Sequence, residues 1–417
     1  MVGKFITLSI FVGIVTGIFI TIYSLLTHFL SVILYFGNPI ETISHLPIWY
    51  IYLVPLVSIL IVNYLILKNE AVKEYGVREI AEAVEQNKLN FDIKDLFLKI
   101  FASSLSIASG FAIGNEGPSA AIGAIIAQKF HEFFKLPKKL IRVSLSIGAS
   151  SGIAAIFVSP ITGIMFAIEN IAYEFIKSYA GYLILASVIS FSVAWHFLEP
   201  LIFNYSIGKF IEYKYVFATI LFIPVMLFFV YFYLFLKDRV LHLLNVFLIE
   251  KFSKYKNFIL AVMGALIIST IMLISPYAVF SGHEVVKLLI NNASVLPIWL
   301  IFIIIVLRVI ATSISLYANA VGGIFIALMS IGALVGYGFG EIAKDFLNIE
   351  PFYFAAIGAA VFVGVNMKLP LTAVVLALEI TYDYNVIIPT GISVVIVTYF
   401  TALNFSLRKF TLRPRIE

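Results

Sequence analysis

Residues 114–120 read GNEGPSA: one carboxylate, Glu116, set among two glycines, an asparagine and a proline. The flanks, LFLKIFASSLSIASGFAI (96–113) and AIGAIIA (121–127), are apolar, and no Lys or Arg lies between Lys99 and Lys129. Gly114 and Gly117 permit positive φ and close approach of the backbone to a ligand. Pro118 suits the first turn of a new helix. The stretch therefore predicts a helix that restarts at membrane depth, its free amides and positive dipole end facing a cavity. Such an end attracts anions. A glutamate there can occupy the site as a tethered anion, or leave it when protonated, acting as gate and proton carrier. A capping or salt-bridging glutamate near an interface is the plainer alternative.

Membrane depth follows from composition. The 417 residues are 62% hydrophobic and 12% charged, with a mean hydropathy of +1.05. A soluble domain is about 25% charged, so this chain has too little polar surface for an aqueous globule. The net charge of +5 sits mostly in short loops and gives no nucleic-acid signal. Without cysteine there is no disulfide, thiolate metal site or Cys nucleophile. The first 26 residues carry one Lys and a long apolar run. That run exceeds a signal-peptide core of about 7–15 residues and reads as the first span.

A span needs roughly 20 apolar residues. Continuous candidates are 5–35, 48–67, 143–168, 178–198, 215–236, 257–275, 296–316 and 386–407, with Arg308 inside one of them. The segments 100–128, 320–340 and 352–382 are interrupted by Gly, Pro and isolated polar residues. Lipid satisfies no free backbone group, so broken helices must be buried in protein or line a polar cavity. Lys and Arg concentrate in the loops 68–99, 129–142 and 237–256 and in the tail after Leu407. The positive-inside rule makes those loops and both termini cytoplasmic.

The chain also repeats itself. GASSGIAAIFVSPITGIMFAIEN (148–170) aligns with GAAVFVGVNMKLPLTAVVLALEI (358–380), pairing Gly148, Pro160 and Glu169 with Gly358, Pro370 and Glu379 at an offset of 210. Gly114 and Gly123 pair with Gly323 and Gly332 at 209. Two related halves are expected, 1–210 and 211–407, followed by a short tail, 408–417, with no regulatory domain. Paired broken helices in corresponding places point to a midplane site at the repeat interface. Opposite Glu116, the second half offers VGGIFIALMSIGA (321–333). There Gly322 and Gly323 break the helix, and the amides of Ile324 and Phe325 are expected to face the same cavity. A small-residue packing motif is the alternative.

Gly-x-Glu-Gly-Pro, then Gly-Gly-Ile-Phe one repeat later, a Pro-Leu-Thr block and EITYDYNVIIP (379–389) together resemble the CLC family of chloride channels and proton/chloride antiporters, over nearly the whole chain. The resemblance implies an all-α polytopic membrane protein of two inverted-topology repeats with broken, tilted helices. It implies a homodimer with one pore per subunit. It matches Glu116 to the external gating glutamate, and Ile324 and Phe325 to the amide donors of a central anion.

The departures are specific. Phe410 falls where the family places an anion-capping tyrosine, from the start of the last helix; a phenyl ring cannot donate that hydrogen bond, and simple packing is the other reading. In EYGVREI (74–80) Tyr75, beside Gly76, stands in for the anion-coordinating serine, and Arg78 for a proline. Either Tyr75 narrows the inner vestibule, or the loop no longer meets the anion. Asn115 replaces a common arginine beside the gate. Glu169 is kept, but Asn170 occupies the place of the antiporters' inner proton-handling glutamate, and an amide does not titrate.

The function expected is transmembrane transport of chloride with weak proton coupling; a passive channel, or a transporter of fluoride or nitrate, stays open. Ile324 and Ile326 lack the polar character expected around fluoride. The partners expected are a small anion, protons and the lipid bilayer, with no nucleic acid, metal or cofactor. No phosphate-loop, His-Glu-x-x-His or Cys chemistry marks an enzyme. An intramembrane enzyme pairing Glu116 with Glu169, or a non-transporting scaffold, is a remote alternative.

Overall fold

The computed structural model describes residues 2–72, 92–172, 176–200, 202, 213–248, 255–290 and 296–411, with the side chains of 171–172, 176–178, 245–248, 290 and 404–411 left out. The described chain is helical, and its main helices run in order α1 (Val2–Tyr35), α2 (Ile48–Lys68), α3 (Ile93–Ala108), α4 (Glu116–Phe133), α5 (Ile141–Phe157), α6 (Pro160–Ala167), α7 (Ile176–Trp195), α8 (Tyr213–Leu248), α9 (Lys256–Ile274), α10 (His283–Ile290), α11 (Ile298–Tyr317), α12 (Phe325–Leu347), α13 (Pro351–Met367), α14 (Pro370–Thr381) and α15 (Ile387–Thr411). Among the described residues eight helical stretches are long and apolar enough to cross a bilayer. Helices α4, α5, α12 and α13 are buried along most of their length. The outer helices keep large apolar side chains exposed, such as Phe29 on α1 and Phe228 on α8, as lipid-facing surfaces do.

Two expectations change. The stretch 143–168 is not one span: α5 ends at Phe157, Val158 turns left-handed with φ 51°, and α6 restarts at Pro160. Proline at the first helical position fits that restart. The break was legible in the repeat, because the mate α13 ends the same way, with Lys368 at φ 61° before Pro370. The last span runs past Leu407 to Thr411, so the first residues of the expected tail are helical. Phe410 thus lies in the last turn of α15 rather than at the start of a separate helix; its side chain is outside the described residues.

Close helix crossings account for the glycines. A β-carbon on Gly123 of α4 would overlap the carbonyl of Gly148 on α5, and one on Gly148 would overlap that of Gly123. Gly332 of α12 and Gly358 of α13 repeat the contact. Small residues of this kind let helices in lipid pack backbone to backbone.

The halves are stitched together reciprocally. The Glu169 carboxylate, just beyond α6, accepts from the amides of Leu371 (2.9 Å) and Thr372 (2.7 Å) and from the Thr372 hydroxyl (2.5 Å) at the start of α14. Glu379 of α14 accepts from the amides of Ile161 (3.0 Å) and Thr162 (2.6 Å), from the Thr162 hydroxyl (2.6 Å) and from the Ser159 hydroxyl at the start of α6. Each acid caps the other half's helix, where orphan amides and the positive dipole end welcome a carboxylate. Likewise the Val321 amide donates to Ser106 (3.1 Å) and the Ala112 amide to Ser315 (2.9 Å). Contacts in which i meets j and j meets i are what a two-fold relation produces.

These contacts set two expected outcomes. Replacing Gly148 by Val forces α5 off α4 and should cost about 1–3 kcal/mol or more; a thermal melt in detergent checks this, and an unchanged midpoint would show that the helices do not pass so close. Glu379→Ala and Glu169→Ala each strip a helix start of acceptors, and bonds to a charged group are worth roughly 1.5–3 kcal/mol each. Both should lower the melting midpoint, Glu379→Ala by more because it removes the additional Ser159 bond.

Candidate anion gate

The loop after α3 and the loop after α11 meet in the middle of the protein. They make a β-type contact between Gly114 and Gly323, whose amides and carbonyls exchange two hydrogen bonds, each of 2.7 Å. The bridge holds the start of α4 against the start of α12. The next residues carry the chemistry: Glu116 opens α4 and Phe325 opens α12.

Glu116 is 1% exposed. Its Oε1 accepts the Ile326 amide at 3.1 Å, and its own amide and that of Phe325 also face the carboxylate. The carboxylate thus sits on the N-terminal end of α12, a ready-made anion site. Oε2 is buried and has no hydrogen-bond partner among the described residues. Gly114 and Gly323 leave the room: a β-carbon on Gly114 would overlap the carboxylate, and one on Gly323 would come within 2.9 Å of Oε1 and 3.0 Å of the Gly117 nitrogen. Gly322 packs against Ile113 and the Gly114 carbonyl. The donor is Ile326, one residue beyond the expected pair, with the Phe325 amide beside it; Ile324 is the N-cap of α12.

Around this end, Phe325 packs tilted against Phe157 with ring centroids 4.4 Å apart and meets Phe166 at 5.8 Å. A cavity of about 30 Å³, room for one or two waters, is lined in part by Phe157, Ser159, His283, Ile326, Met329 and Glu379. Burial, then the neighbouring charges of Lys287 and Arg308, push the His283 imidazole down to about 4. His283 is therefore neutral across the ordinary pH range.

Of the other candidate positions, Asn170 is half-buried and donates to the Phe166 carbonyl at 3.2 Å. It sits in a π-helical turn, Ile168–Ala172, a form frequent at functional sites. Glu169, next to it, bonds to α14 instead and makes no contact with Glu116 among the described residues. Tyr75 and Gly76 lie outside the described residues, as does the Phe410 side chain. Sequence reasoning missed the Ile326 amide and the Ser106 and Ser315 hydroxyls. The serines had a signal, since they stand 209 residues apart, as the glycines do.

Residues 55–402 match the family described as voltage gated chloride channel. The H(+)/Cl(-) exchange transporter ClcA of Vibrio cholerae is 26% identical over 392 residues, covering 92% of this chain and 83% of that protein. The ClcA of Vibrio vulnificus is 26% identical over the same extent. Among solved structures, a slow cyanobacterial Cl-/H+ antiporter aligns with a TM-score of 0.78 at 20% identity, covering 95% of this chain and 93% of that one. A CLC-type fluoride/proton antiporter aligns with a TM-score of 0.77 at 18% identity, covering 96% and 95%. A family pattern spanning most of the sequence, with a fold shared from end to end, means that this chain belongs to the voltage-gated chloride channel, or CLC, family.

Proposed function

We propose that this protein carries a small anion, chloride foremost, across a membrane by the CLC mechanism, with Glu116 as gate and proton carrier. The observation that carries the proposal is the Glu116 carboxylate seated on the Phe325 and Ile326 amides. That is the place a transported anion takes, and the two cannot share it. Protonation cancels the charge that holds the carboxyl to the helix end. The side chain then leaves, the anion enters, and a proton has moved with the gate. Relatives named as H(+)/Cl(-) exchange transporters support chloride and protons as the moving species.

The wider arrangement follows from the same reading. The two halves, 1–210 and 211–407, are inverted repeats about an axis in the membrane plane, supported by the reciprocal contacts at offsets of 209 and 210. Basic loops put both termini in the cytoplasm. The protein works as a homodimer with one pore per subunit, a property carried over from family resemblance.

Coupling is weak in this proposal. Asn170 stands where an inner acid would pass the proton on, and an amide cannot hold one near neutral pH. Glu169 cannot replace it, being occupied by three donors of α14. A passive channel differs from this reading only in moving no protons.

In liposomes, Glu116→Gln should give chloride flux that no longer responds to pH and moves no protons; an unchanged pH response would remove Glu116 from the gate. Asn170→Glu should raise the number of protons moved per chloride. A wild-type protein that pumps protons uphill at a fixed ratio under a chloride gradient would overturn weak coupling, and one that moves none would establish the channel.

A further inference from the structure

Arg308 of α11 is fully buried. Its Nη1 donates to the carbonyls of Tyr277 (3.1 Å) and Val279 (3.0 Å), its Nη2 to those of Phe280 (3.4 Å) and Ser281 (2.7 Å), and its Nε to the Ser330 hydroxyl. A guanidinium has five N–H donors and stays protonated in proteins. All five are used, and every acceptor is neutral. Among the described residues no carboxylate contacts it. Hydrogen bonding is complete while the charge is left uncompensated, and burying an ion in that way is costly. A neutral side chain would hold a loop without that cost, so the charge itself calls for a reason.

Its position supplies one. Ser330 lies in α12, four residues beyond Ile326, whose amide meets the Glu116 carboxylate. Four residues of helix are roughly 6 Å of rise. The guanidinium therefore lies beside the second turn of α12, in the N-terminal part of the helix, and its charge has the same sign as the dipole end that holds the carboxylate. Its field reaches His283, whose imidazole it helps to hold neutral. On the α4 side Asn115, beside the gate, is neutral, and the buried Lys99 of α3 stands seventeen residues before Glu116. The loop that Arg308 grips is also fixed to the gate segment: Phe280, at φ 58°, donates its amide to the Gly110 carbonyl at 3.0 Å.

We propose that Arg308 is the built-in counter-charge of the anion seat, a positioning residue that raises anion affinity through its field on the α12 N-terminus without touching the anion. The assignment rests on the anion seat proposed above. A unit charge at about 10 Å and an effective dielectric near 20 changes affinity on the order of tenfold.

Chloride binding by calorimetry on purified, monodisperse protein tests it, in the wild type and in a Glu116→Gln background that empties the seat. Arg308→Gln should bind chloride about tenfold more weakly, and Arg308→Lys should recover most of the loss. Where Arg308→Gln does not fold, Ser330→Asp compared with Ser330→Asn carries the test: the aspartate neutralises the guanidinium in place, and the asparagine matches its size without the charge. Chloride should bind about tenfold more weakly to Ser330→Asp than to Ser330→Asn. Equal affinity in that pair, or wild-type affinity in a folded Arg308→Gln, would overturn the counter-charge and reduce Arg308 to a loop anchor. No chloride binding in either the wild type or Glu116→Gln would overturn the anion seat, and this assignment with it.

Discussion

A helix end inside a membrane leaves several amides without partners, and lipid offers none. This fold has many such ends: α4, α6, α12 and α14 all restart within apolar sequence. The starts of α6 and α14 are closed by acids from the opposite half, Glu379 and Glu169. The loops leading to α4 and α12 are closed by the Gly114–Gly323 exchange and by Ser106 and Ser315. Because each closure is supplied by the other half, neither half satisfies its own backbone alone. The packing of the halves and the existence of the broken helices are therefore one constraint.

The same device serves two purposes, and the bond count separates them. Glu379 takes four donors and Glu169 three, threonine hydroxyls included. Glu116 takes the Ile326 amide on Oε1, with the amides of Phe325 and of Glu116 itself nearby, while Oε2 has no partner among the described residues. With hydrogen bonds to charged groups worth roughly 1.5–3 kcal/mol each, the first two acids are held more tightly than the third, which on the proposed mechanism is the one that leaves. The glycines beside it matter for the same reason: a β-carbon at Gly114 would take the carboxylate's space.

Much of this was legible in the sequence. Glu116, the paired glycines and the offsets of 209 and 210 pointed to the candidate site, because a lone acid in apolar sequence has few physical explanations. The repeat even held the answer to the one mistaken span: Pro160 and Pro370 correspond, so a break expected before the second should have been expected before the first. What stayed hidden depends on three-dimensional register. Which amides meet the carboxylate changes with a single residue of helix start, so Ile326 rather than Ile324 could not be chosen from Gly-Gly-Ile-Phe. Arg308 looked like an interruption in a span because its five acceptors come from a loop some thirty residues upstream and from another helix.

On the proposed mechanism the difference between these acids also bears on how a proton crosses. In that mechanism a proton held by Glu116 at the seat must find a second carrier before it reaches the inner side. Glu169 is the acid next to the expected inner position, yet its oxygens are engaged by Leu371 and Thr372. Releasing it to carry a proton would uncap α14 and loosen the junction between the halves. Asn170 offers only an amide, already donating to Phe166. The cap that makes the fold possible thus removes the nearest substitute for the missing carrier, so on the proposed mechanism protons pass the inner half by water rather than by side chain. Water does not reserve its path for protons, and coupling that depends on it slips.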